Sequence, residues 1–244
     1  MNSSTFEAAS RQACRSAKAL CRLVAAQDLG PLPLYIVPQS RLPPELGGGS
    51  VANGYTASRL DLHLRDFIPD YRGRGPCMVV GDRNLWARDA DDFLYSFQAT
   101  SLHELAHLLL RPWYFCEPVN ASPEALHREA RKVADMVATE PPEDGLPPFM
   151  GHESQFIRTA LHLQHRAAKV GVWIAPNDLC AGRQYGLSHA RRYQLALGDE
   201  PQRLADKPIM RIVATEAPIE FTELWVSDVR AHLQSFSRMK GSAL

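Results

Sequence analysis

The stretch from Phe93 to Leu110 contains neither glycine nor proline and is apolar on most of its faces. Such a segment reads as a helix enclosed on nearly all sides, so the rest of the chain has to be built around it. Asp91 and Asp92 stand just ahead, where carboxylates favour a helix N-terminus, and Pro112 stands just after, where a helix cannot continue. One stripe breaks the apolar pattern: Ser96, Thr100, His103 and His107, at helical steps of four, three and four. Unpaired polar groups are costly inside a protein, so this stripe has to face partners or a cleft.

The stripe includes both ends of His103-Glu104-Leu105-Ala106-His107, the pattern H-E-x-x-H. With nine histidines in the chain, chance alone would produce it in about 0.02 of sequences of this composition. Histidines four residues apart on a helix have Cβ atoms about 5–6 Å apart. Both can therefore reach one zinc ion at about 2.0–2.1 Å. Glu104, one step round the helix, can then take the proton of a water held at the metal. The motif predicts a zinc-dependent peptidase (cofactor Zn2+) acting on a protein or peptide substrate, with His103 and His107 as ligands and Glu104 as the catalytic base. A zinc fold kept only for binding would have no need of Glu104. Catalytic zinc usually has three protein ligands and an open fourth position, so one more ligand is expected elsewhere.

Two segments offer it. From Pro123 to Ala138 the chain reads as a helix, with Ser122 as N-cap and Pro123 in the first turn, and Glu129 falls among the core positions Leu126, Val133 and Met136. From Gly151 to Arg166 a second helix opens on His152, and Phe156, Ala160 and Leu163 form an apolar stripe that would dock it.

The pairing of His103-Glu104-Leu105-Ala106-His107 with Gly151-His152-Glu153-Ser154-Gln155-Phe156 resembles the SprT-like (spartan-type) zinc metallopeptidases. The third ligand of that family is the histidine of a G-H-G-x-x-F-type motif, so the resemblance implies His152 as ligand and Phe156 as its packing anchor. Glu153 stands where the family usually has glycine, and the gap from His107 to His152 is longer than usual. Arg128-Glu129-Ala130 with Val133-Ala134 also resembles the corresponding helix of ImmA/IrrE-like peptidases, which implies Glu129 instead. The resemblances cover roughly residues 77–168. They imply an α+β, zincin-like core, a small sheet packed on the active-site helix, and the preferred ligand set is His103, His107 and His152. Arg158, His162, His165, Tyr114 and Tyr185 are candidates for steadying the oxyanion beside the metal.

Lysines and arginines balance aspartates and glutamates at 27 each, which argues against a strong non-specific grip on nucleic acid. Arg158, Arg166, Lys169, Arg183, Arg191 and Arg192 make the later half locally basic, read as a solvated helix face. The five cysteines are odd in number and include no C-x-x-C pair, so neither a disulfide framework nor a zinc site built from four cysteines is expected. Met1 to Ala26 lacks the apolar core of a signal peptide, and no stretch approaches the length of a membrane span. These features predict a cytoplasmic protein.

For the scaffold, the sequence predicts a helix over 5–27, a strand at Leu34–Val37, and a loop from Leu42 to Tyr55. It predicts a half-buried strand at Leu60–Leu64 with His63 facing solvent, and a buried strand at Pro76–Gly81. Residues 1–170 are expected to form the metallopeptidase core with its N-terminal helix. Residues 171–244 are expected to form an α/β extension with a helix near 187–197, a strand at Ile209–Ala214 and a helix over 224–236.

Overall fold

The computed structural model describes residues 3–46, 54–82, 87–112, 152–180 and 189–241. They form an α+β chain, rich in helix, with one three-stranded mixed sheet. The chain divides into two compact units, Met1–Thr139 and Glu140–Leu244.

In the first unit, α1 (Ser3–Val24) and the short α2 (Ala26–Leu29) occupy the helical stretch expected from the sequence. Ser10, Ala13, Ala17, Leu20 and Val24, at steps of three and four, make its buried face. This face packs on α4 (Ala90–Leu110), and Gln98 Nε2 donates to Ser16 Oγ at 2.9 Å across the pair. The sheet runs β1-β3-β2. β1 (Tyr35–Pro38) pairs parallel with β3 (Cys77–Val80), Tyr35 opposite Cys77, and every residue of both strands is buried. β2 (Gly54–Tyr55) is an edge strand antiparallel to β3, Gly54 opposite Val80. Just past β3, buried Asp82 accepts hydrogen bonds from Ser10 Oγ at 2.7 Å, Ser40 N at 2.8 Å and Ser40 Oγ at 2.6 Å. One carboxylate thus ties the strand end to α1 and to the turn after β1.

Leu60–Leu64 departs from expectation. It is α3 (Leu60–His63), closed by Leu64 N donating to Leu60 O at 3.0 Å, and His63 is buried. Leu60, Leu64 and Ile68 are the buried apolar positions, at helical steps of four, while Leu62 is only half-buried. Asp61 and His63 are buried along with Leu60 and Leu64 while Leu62 is not, so burial does not alternate as a half-buried strand would require.

In the second unit, α5 (Ser154–Lys169) buries Phe156, Ala160 and Leu163 as its stripe predicts. There follow α6 (Pro176–Cys180), α7 (His189–Leu197), α8 (Glu200–Arg203), α9 (Ile209–Val213) and α10 (Ile219–Gly241). Every described secondary-structure element of the expected α/β extension is a helix. Ile209–Val213 is a helix and not a strand because Ile209 and Ile212, three apart, are the buried pair, and Pro208 O accepts from the N–H groups of Arg211 and Ile212. Tertiary burial here overrides the strand preference of β-branched residues. No described helix is long and apolar enough to cross a membrane. The helix read at Pro123–Ala138 and the linker at Glu140–Pro148 lie outside the described residues.

Candidate metal centre

Helix α4 starts one residue before the aspartate pair. Asp89 is its N-cap, accepting from Asp92 N at 2.8 Å, and Asp91 and Asp92 fill the first turn. Phe93, Phe97, Leu102, Leu105, Ala106, Leu108 and Leu109 are buried along it. Ser96, Thr100, His103 and His107 are each half-buried, so the polar stripe is the partly open side of an otherwise enclosed helix. Ser101, on the closed side, satisfies its hydroxyl by donating to Phe97 O at 2.7 Å.

The His103 and His107 rings stand with centroids 5.1 Å apart, edge to face at 72°. Glu104 between them is 5% exposed. Burial pushes its carboxyl pKa up to about 8, and the Arg111 cation opposes this only in part. Edge strand β2 touches this side chain. A Cβ placed on Gly54 would stand 3.1 Å from Glu104 Cγ, 2.9 Å from Thr100 Cγ2 and 3.0 Å from Val79 O. Only glycine lets the strand approach the Glu104 stem this closely. Gly54 carries no sequence signal for this role: it falls at the end of a segment read as a loop.

His152 lies two residues ahead of α5, half-buried, with its ring 4.2 Å from that of Phe156. Phe156 is buried, so the histidine at the mouth of the helix is braced by its own first turn, as the sequence implied.

Two of the oxyanion candidates are engaged elsewhere. Arg158 Nε and Nη2 donate to Glu200 Oε1 and Oε2 at 2.8 and 3.0 Å, and Arg158 Nη1 donates to Thr215 O at 2.9 Å. His162 Nε2 lies 2.7 Å from Glu200 Oε1, and all three side chains are buried. Burial alone would raise the Glu200 pKa, but the hydrogen bonds from His162 and Arg158 outweigh it and hold the carboxyl below its ordinary value. With Arg158 turned inward, the basic stretch is not one continuous surface patch. His165 is half-buried, and burial together with the Lys169 charge lowers its pKa. Glu129, Tyr114 and Tyr185 lie outside the described residues.

Fold and motif together define an α+β chain with an open histidine pair and a buried carboxyl on one enclosed helix. No protein-family model, curated protein or solved structure matches the chain.

Proposed function

We propose that this protein is a zinc-dependent metallopeptidase with a zincin-like core, cytoplasmic, in which His103, His107 and His152 hold the metal and Glu104 moves the proton. The observation that carries the reading is α4 itself: its histidines lie on the open stripe with Glu104 buried beside them. Three imidazoles suit zinc and leave a fourth position for chemistry. The SprT-like resemblance favours His152 over Glu129 as the third of them.

A bound Zn2+ supplies Lewis acidity and lowers the pKa of water toward about 7. The chain's own residues do the rest. Glu104 accepts a proton at its carboxyl and returns it to the leaving amine. Gly54 closes on the Glu104 stem from one side and limits the freedom of the carboxyl. The sheet order leaves β2 at an edge beside Glu104, where an extended segment of a protein substrate can add as a further strand.

The test joins metal analysis to proteolysis. The purified protein is expected to carry about one zinc per chain and to cut an unfolded protein substrate until a chelator is added. Glu104→Gln is expected to keep zinc and fold while slowing cleavage by at least about a hundredfold. Cleavage at the wild-type rate by Glu104→Gln would overturn the mechanism.

A further inference from the structure

Helix α10 has two faces that do different things. On one, Phe221 is buried and Tyr193 of α7 stacks edge-on against Phe221 and Trp225, with ring centroids 5.4 and 6.0 Å away. The Tyr193 hydroxyl donates to Asp228 Oδ2 at 3.0 Å, and Arg192 Nη1 stands 3.4 Å from Asp228 Oδ1. That face fastens α10 to its own unit. The other face carries Ile219, Val226 and Leu233, which are 66%, 39% and 50% exposed. They recur every seven residues, two turns apart on one side of the helix, and form a single apolar seam. Glu223 and Arg230 each follow a seam residue by four positions, and both are exposed.

We propose that this face is a homodimer interface, in which α10 of a second copy of the chain packs antiparallel on Ile219, Val226 and Leu233. The charge order selects the occupant and its direction. Glu223 and Arg230 are seven residues, about 10 Å, apart along the axis, too far to meet within one helix. A two-fold axis near Val226 reverses the order, so Glu223 faces the partner's Arg230 and Arg230 faces the partner's Glu223. A parallel pair would instead set like charge against like. Two-fold contacts of this kind are self-complementary, as a homodimer requires. The seam is short, so the contact belongs near the lower end of stable interfaces, about 1,200 Å2, and the dimer is concentration-dependent.

Analytical ultracentrifugation of the full chain over a concentration series tests this. Wild type is expected to shift from monomer to dimer as concentration rises toward about 1 mM. Val226→Asp is expected to stay monomeric with its helical circular dichroism retained, since Val226 is 39% exposed. Glu223→Arg and Arg230→Glu are each expected to weaken dimerisation by about tenfold or more. An equimolar mixture of those two variants is expected to dimerise again, because each supplies the charge the other needs. A wild-type monomer at every concentration, a dimer indifferent to Val226→Asp, or a mixture no better than its components would each overturn the proposal.

Discussion

Glu104 and Glu200 are both buried glutamates on or beside helices with polar stripes, and their carboxyls are pushed in opposite directions. Glu104 is buried with only the Arg111 charge acting against the penalty, and burial raises its pKa to about 8. Glu200 is clasped by Arg158 and His162, and their hydrogen bonds hold its pKa below the ordinary value despite burial. The polar stripe of α5 is closed off by this clasp, with Arg158, Thr159 and His162 all buried. The stripe of α4 stays half-open. A buried charge with its partners in place is a structural device. A polar stripe left open beside a proton-holding carboxyl is where chemistry can be placed.

Glu200→Ala should break the comparison most severely. It strips Arg158 of its buried counter-ion, and removing one partner of a buried pair costs about 3–5 kcal/mol. Chemical denaturation should register that loss, and a change under about 1 kcal/mol would mean the clasp is not structural. His107→Ala should do the reverse, weakening zinc by more than the roughly 100-fold typical of residues that merely support a ligand, with the first unit still folded. Competition with a zinc indicator, alongside circular dichroism, reads both quantities.

Gly54→Ala should fall between these extremes. The added methyl would press on Glu104 and Thr100, so cleavage should slow by about tenfold to a hundredfold while zinc content holds. Unchanged kinetics would show that the Glu104 stem has room to yield.

The same two carboxyls give pH slopes of opposite sign, each spread over several pH units. An unfolded glutamate titrates at about 4.3. Between that value and about 8 the folded, metal-free chain keeps a proton on Glu104 that the unfolded chain has released. Stability from this group is therefore complete below about pH 4.3 and is lost as pH rises toward about 8. Glu200 runs the other way: its stabilisation is present above about pH 4.3 and is lost as pH falls through its lower native value. Melting curves of metal-free protein should show Glu104→Gln flattening the slope between about pH 4.3 and about 8, and Glu200→Gln flattening the slope below about pH 4.3.

The helix α4, its open stripe and the docking stripe of Phe156, Ala160 and Leu163 were legible in the chain, as were β1, β3 and the long N-terminal helix. Each is written in residues close enough for one helical or strand period to express it, and α4 is long enough that no other period fits. Leu60–Leu64 was too short for that: the steps of alternation and of one helical turn coincide for its leucines, and only the burial of Asp61 and His63 separates them. The strand-like Ile209–Val213 became helical because burial chose Ile209 and Ile212 together. The sequence alone determined where a metal could be gripped, since His103 and His107 are joined by a single helical turn. Only the tertiary structure decided which polar residues were spoken for. Arg158 meets Glu200 across 42 residues of chain, and Gly54 comes to rest against Glu104 only through the packing of β2 on α4. No local period relates such partners, because what brings them together is the burial of surfaces elsewhere in the fold.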